Sequence, residues 1–261
     1  MPSVVPFLPL PGDTQTIAAA LHQPGGFTAE GDLAPHLARA VATLGLEGLV
    51  GIGEAVVPAQ AVALYRAWLL QHGQNADSAA AWYNLGVALQ RLGKPVEATA
   101  ALEAAQRLRP GLWQAGLGRG LAFEAAGAPD AALNVWREIL PPAEARRQIH
   151  IQMARLLEDR GRLGEAIEEA RAALLIDPDQ PDVIQHLVHN RQRTTAWPVT
   201  GLAVPGLSEE TAALNAGPLA ALALVDDPAR QAEICASWIG RKIPAAPQLL
   251  APAGGYAHDR L

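Results

Sequence analysis

Residue types that could do chemistry are sparse in this chain of 261 residues. His186 and His189 stand three apart, a spacing that sets two imidazoles close together on a helix. A stable metal site needs three or four ligands in suitable geometry, and no third ligand accompanies them, so solvent-facing or capping histidines are expected. Glu165, Glu168 and Glu169 form an acidic run. General acid and base work would require a pocket that shifts their ionisation, and a solvated helix face is the expectation instead. Cys235 is the only cysteine; with Ile234 and Ala236 beside it and no adjacent base, it reads as a buried structural thiol. Gly51-Ile52-Gly53 and Gly118-Arg119-Gly120 are too short to cradle a phosphate and follow no strand pattern. No catalytic residue, cofactor site or metal site is predicted.

Composition narrows the class further. Half of the residues are hydrophobic, enough to bury a substantial core, while aromatics make up only 5%. Abundant Ala and Leu favour close-packed helices over a sandwich of branched and aromatic strands. A formal charge of -6 argues against a broad phosphate-binding surface, so nucleic acid is not expected as a partner. One cysteine permits no internal disulfide and suits a reducing compartment. The stretch from Ala40 to Val57 is interrupted by Glu47, Glu54 and four glycines, too short and too broken to span a bilayer. The opening residues Met1 to Asp13 carry four prolines and lack the basic and apolar regions of a secretory signal, so a soluble cytoplasmic protein is expected.

The elements that would position any site are set by a repeat. Gly86, Gly120 and Ala154 are 34 residues apart, as are Gly93, Gly127 and Gly161, and Ala98, Ala132 and Ala166. Each period reads as two amphipathic helices: 78–92 with 95–108, 113–126 with 129–139, and 143–160 with 163–176. The glycine at 93, 127 or 161 suits a left-handed residue that stops the first helix, and Pro95 and Pro129 open two of the second helices, where a missing N–H costs nothing. The small residue at 86, 120 or 154 and the alanine at 98, 132 or 166 let the paired helices approach closely, with Leu89, Phe123 and Leu157 beside them.

Trp82, Leu85, Gly86, Leu89, Ala98, Leu102, Ala105 and Pro110 resemble the signature of a tetratricopeptide repeat. The second period keeps Gly120, Phe123, Ala132 and Trp136 but has Gly116 for the early Trp, Arg119 for the Leu and Glu144 for the closing Pro. The third keeps Met153, Ala154, Leu157, Ala166, Ala173 and Pro178. The expected fold is an all-α solenoid of about three repeats over 56–191. Before it lies an irregular leader over 1–55 with a helical cap. The helix over 59–72 is expected to pack on the first repeat, with a partner within 33–49, and 182–191 to form a capping helix, since an unpaired repeat exposes an apolar face.

From Gln192 prolines and glycines break the pattern, and a linker with new helices over 208–215 and 228–240 is expected to fill 192–261, Asp227 capping the last of them. Thr195-Ala196-Trp197, Gly217-Pro218-Leu219 and Leu222 to Gln231 resemble the junction after the repeats in bacterial O-linked N-acetylglucosamine transferases of the SPINDLY type. On that resemblance His258 to Leu261 lead into a catalytic lobe, and a nucleotide-sugar is a ligand only if such a region follows. None of that family's catalytic residues falls within these 261 positions. Trp197 is expected to pack within the junction.

A solenoid offers a partner its concave face, lined by first helices. The resembling family carries an asparagine ladder there, and the matching positions are Asn84, Gly118 and Gln152. Tyr83, Asn84, Gln152 and Arg155 are the candidate groove residues, and a protein or peptide is the expected partner, with no membrane. Two functions follow: the acceptor-presenting part of a protein O-glycosyltransferase, or a stand-alone adaptor that holds a partner's peptide or helix.

Overall fold

A computed structural model describes residues 12–243 except 24, 29, 30 and 140. The proline-rich opening and His258 to Leu261 lie outside the described residues. The chain is all-helical among the described residues, with a lone antiparallel bridge between Phe27 and Leu33. It divides into two compact units, Met1–Pro142 and Ala143–Leu261. The division falls after Pro141-Pro142, two residues without amide donors to carry a helix onward, and lies inside the 56–191 stretch expected as one solenoid.

Unit 1 contains α1 (Gly12–Leu21), α2 (Pro35–Ala42), α3 (Leu46–Ala55), α4 (Pro58–His72), a 3-10 turn (Ala76–Ser78), α5 (Ala79–Arg91), α6 (Pro95–Leu108), α7 (Trp113–Ala125) and α8 (Pro129–Glu138). The two hairpins α5–α6 and α7–α8 match the expected bounds to within a residue at each end. Proline stands in the first turn of both α6 and α8. Gly93 and Gly127 adopt φ of 69° and 77° and close their helices with paired bonds: Lys94 and Gly93 donate to the Leu89 and Gln90 carbonyls, Ala128 and Gly127 to those of Phe123 and Glu124.

Close approach inside each hairpin depends on an absent side chain. A Cβ on Gly86 would lie 2.5 Å from Leu102 Cγ, and one on Gly120 only 2.0 Å from Trp136 Nε1. Leu102 and Trp136 are fully buried there, each worth roughly 1.5–3 kcal/mol or more of apolar transfer. Trp136 also donates its indole N–H to the Leu117 carbonyl at 3.1 Å, so its ring is fixed in the gap that Gly120 leaves.

The leader is more helical than expected. Leu37 and Val41 of α2 and Leu49 and Ile52 of α3 are buried at helical spacing, and both helices pack on α4. The glycines at 48, 51 and 53 weaken α3 in isolation, but burial of its apolar face outweighs propensity. Gly53 itself makes room for the Tyr65 hydroxyl, which a Cβ would meet at 2.2 Å.

Unit 2 contains α9 (Ala143–Asp159), α10 (Leu163–Ile176), α11 (Pro181–Arg193), α12 (Glu209–Asn215), α13 (Pro218–Leu224) and α14 (Pro228–Lys242). Gly161, at φ 72°, ends α9 with the same pair of bonds seen in unit 1. The expected break at 191/192 is not a packing boundary. Val199, Leu202, Val204, Ala212 and Ala216 share one core with Ile167, Leu174, Ile184, Leu187 and Val188, because the last repeat's apolar face needs a cover. Asp227 caps α14 by accepting from the Ala229 N–H at 3.0 Å. Two expectations are corrected here. Trp197 does not pack within the junction but is 65% exposed, and Cys235 is half-buried because α14 turns only Ile234 fully inward.

Candidate functional site

The four candidate groove residues fall into two pairs, one in each unit. On α5, Asn84 hydrogen-bonds the Tyr65 side chain of α4. Burial pushes the Tyr65 hydroxyl up to about 12, the Asn84 bond opposes the shift and Glu54 adds to it. Its neighbour Tyr83 is half-buried; burial raises its ionisation too, with Arg91 opposing. The middle ladder position, Gly118, spends its carbonyl on the Gln90 side-chain amide at 2.8 Å, and a Cβ there would lie 3.3 Å from Leu102. In unit 2 the Arg155 Nε donates to Gln152 Oε1 at 3.3 Å and its Nη1 to Asp159 at 3.2 Å, so those two candidates engage each other along α9.

A further concave feature of unit 1 lies elsewhere. A cleft of about 790 Å³ is lined by α4 and α6 with α5 as its floor, and by Asp32, Leu33 and Ala38 of the leader. One wall presents Ala63, Ala67 and Leu70, the other Ala100, Ala101 and Ala104, and both sets recur at helical spacing. Leu85 and Leu89 line the floor. Leu70 is 88% exposed, an unusual position for a large aliphatic group beside other apolar surface. Charges stand at the rim: Arg66 of α4 pairs with Glu97 of α6, which Lys94 also approaches at 3.4 Å, and Arg107 lies farther along. Sequence reasoning recorded α4 and α6 as helices but followed the concave convention to α5. The available signal was Leu70, whose position lies off the buried face formed by Leu64, Tyr65, Trp68 and Leu69.

Several of the residues first considered for chemistry have partners within the fold. His186 Nδ1 faces Glu158 at 3.1 Å, and the same carboxylate accepts from Asn190, a buried amide of α11. Glu165 is paired with Arg162 at 2.7 Å, and Glu169 with His150 of α9. Among the described residues no group of three His, Cys, Asp or Glu is placed to hold a metal. The polar residues of the junction motif serve the helix joint: Asp227 caps α14 and Gln231 donates to the Val225 carbonyl at 2.6 Å, while Leu219 and Leu222 of α13 are left 80% and 67% exposed. Among the described residues no helix is long and apolar enough to cross a membrane.

Tetratricopeptide-repeat family models match residues 79–112 and 148–180, the hairpin α5–α6 and most of α9–α10. Neither match reaches the 191–231 junction. No curated protein matches the sequence. Among solved structures, a MamA structure (the RS-1 ArsTM double mutant) is 17% identical, covering 76% of this chain and 97% of that one at a TM-score of 0.53. YrrB, described as a TPR protein with an unusual peptide-binding site, is 16% identical, covering 85% of this chain and 96% of that one at a TM-score of 0.52. At such identities the likeness is one of fold, and together with the matched repeats it makes this chain an all-α protein built on tetratricopeptide repeats.

Proposed function

We propose that this chain is a protein-binding scaffold and that unit 1 receives an amphipathic helix of its partner in the α4–α6 cleft. The observation that carries this reading is the pair of alanine-lined walls with Leu70 standing out at their edge. Small side chains on both walls let a third helix approach closely, and the leucine floor suits large aliphatic side chains from that helix at i, i+3, i+4 and i+7. The charged rim, with Arg66, Glu97 and Arg107, would fix the register of a helix flanked by charges. The description of YrrB as peptide-binding is in keeping with this class of function.

The test uses helical peptides selected for binding to the wild-type chain. Leu70→Asp and Ala100→Glu alter exposed positions, so folding is expected to be unaffected while affinity falls at least about 100-fold, roughly 2.7 kcal/mol. Asn84→Ala should leave it unchanged. The reverse pattern, loss with Asn84→Ala or Gln152→Ala and none with Leu70→Asp, would move the partner to the first-helix face where Tyr83, Asn84, Gln152 and Arg155 are candidates.

A second reading, the acceptor-presenting part of a protein O-glycosyltransferase that uses a nucleotide-sugar, rests on the junction resemblance. The exposed Leu219 and Leu222 favour it, since they would suit a further domain packed on α13. The intact mass of the native gene product tests it: a product that continues into a nucleotide-sugar-binding region keeps this reading, and one that ends near 27.4 kDa overturns it.

A further inference from the structure

In the 34-residue register, the position held by Leu85 in the first repeat and Met153 in the third is held by Arg119 in the second. Leu85 and Met153 are buried at 4% and 3% exposure, so α7 places a guanidinium where its counterparts place core aliphatics. Arg119 Nη1 donates to Gln106 Oε1 at 2.9 Å, and the guanidinium carbon lies 5.9 Å from the centre of the Phe123 ring. Its Nε–H is buried without an acceptor, and among the described residues no carboxylate pairs with it. Arg147, Arg171 and Arg191 have buried Nε–H groups in the same condition, so what singles out Arg119 is its place at an aliphatic register position with no carboxylate paired to it among the described residues.

Arg119 lines a pocket of about 360 Å³, within the range of about 300–1,000 Å³ typical of small-ligand sites. Trp113, Val135 and Ile139 supply apolar wall, Gln106 adds a side-chain amide, and Glu138 brings an exposed carboxylate with no partner among the described residues. The guanidinium calls for a negatively charged acceptor, and planar carboxylates match its fork of donors. Glu138 disfavours a phosphate or other compact dianion in the same space and favours a ligand that also carries a positive group.

We propose that this pocket binds an amino-acid carboxylate with a cationic group: its carboxylate on Arg119 and Gln106, its aliphatic part against Trp113 and Ile139, and its cation toward Glu138. Two sources share that chemistry, a free basic amino acid and the carboxy-terminal Lys or Arg of a polypeptide. The site is separate from the α4–α6 cleft and stands or falls apart from it.

Calorimetry with four probes tests the assignment: free L-lysine, an acetylated tripeptide ending in Lys with a free carboxylate, the same tripeptide amidated, and its free-carboxylate counterpart ending in Ala. The free-carboxylate tripeptide is expected to bind, with the amidated form at least about tenfold weaker, 1.4 kcal/mol. Comparable binding of free lysine would assign the site to the amino acid, and its failure beside a binding tripeptide would assign it to chain termini. Arg119→Leu, which restores the repeat's own residue type and should fold, is expected to abolish binding. Glu138→Gln should remove the preference for Lys over Ala at the terminus, and Leu70→Asp should change nothing. Equal binding of the amidated tripeptide, retention of binding in Arg119→Leu, or no binding of any probe at millimolar concentration would overturn the proposal.

Discussion

The repeat hairpins of unit 1 and the repeat hairpin of unit 2 follow the same register yet close by different means. In unit 1, Gly86 stands against Leu102 and Gly120 against Trp136, a missing side chain matched to a large one. At the same register unit 2 has Ala154 and Ala170, two small residues; α9 and α10 still bury Met153, Leu157, Ala166 and Leu174, and polar contacts are added to them: His150 with Glu169 at 2.7 Å and Arg147 with Asp177 after α10. The 34-residue spacing thus specifies backbone geometry and the sum of side-chain sizes, while leaving open which helix supplies the bulk and whether apolar or polar groups add the rest.

The sharpest way to break this comparison is to remove the bulk. Trp136→Ala is expected to destabilise unit 1 by about 3–5 kcal/mol, since it opens a cavity opposite Gly120 and leaves the Leu117 carbonyl without the indole donor. Hydrogen exchange of α7 and α8 amides during denaturant titration measures it. A loss below about 1 kcal/mol would mean that the Gly120–Trp136 fit does not hold that hairpin. Next in size is the methyl exchange at the shared position. Gly120→Ala should cost unit 1 about 1–3 kcal/mol despite a helix-propensity gain of about 1 kcal/mol, because the new Cβ meets a rigid indole. Ala154→Gly should cost unit 2 about 1 kcal/mol through propensity, so the same pair of residues is disfavoured in opposite directions. Trp136→Leu combined with Gly120→Ala should recover part of the loss, which a double-mutant cycle reads directly.

These fits explain how much was legible in advance. The helix bounds were, because Gly93, Gly127, Gly161, Pro95 and Pro129 act through local backbone rules. The closeness at Gly86 and Gly120 was also legible, because a repeated small residue has few other meanings. The helices of the leader were not, since α3 carries glycines that only burial against α4 overrides. Trp197 was misplaced because an aromatic residue followed by a proline gives no sign of which neighbours will cover it. The candidate site was legible only as a list of first-helix residues. That Asn84 lies against Tyr65, and that a cleft opens between α4 and α6, depends on contacts between helices that no single period encodes.

Helix ends offer a smaller contrast. α5, α7 and α9 each stop on a left-handed glycine, but α11 closes with the same two bonds, Ala196 to the Arg191 carbonyl and Thr195 to that of Gln192, around Thr195 at φ 55°. A β-branched residue in that conformation is strained by roughly 1–2 kcal/mol. Thr195→Gly is therefore expected to stabilise unit 2 by about 1 kcal/mol, after allowing for glycine's greater freedom in the unfolded chain. A fall in stability would mean that the Thr195 hydroxyl, which donates to the Thr194 carbonyl at 2.7 Å, outweighs the strain.

The weakest effect separates the units by pH. Asp177 accepts from the Asp179 backbone N–H at 3.1 Å, from Gln180 at 2.7 Å and from Arg147, and these bonds, the Asp179 bond foremost, lower its ionisation below the ordinary 3.8 against an opposing effect of burial. Between its native value and 3.8 the unfolded chain holds more protons, so this contribution to unit 2 is complete above 3.8 and lost as pH falls through the native value. Tyr65 acts at the other end of the scale. Its contribution to unit 1 is complete below 10.0 and lost as pH rises through about 12, where the buried hydroxyl would have to ionise. Asp177→Asn should flatten the acid limb of unit 2 alone, and Tyr65→Phe the alkaline limb of unit 1 alone, each followed by hydrogen exchange of that unit's helices. If either substitution flattened both limbs, the two units would be unfolding as one, and the contrast between a glycine-to-bulk fit and one supplemented by polar pairs would have no separate energetic meaning.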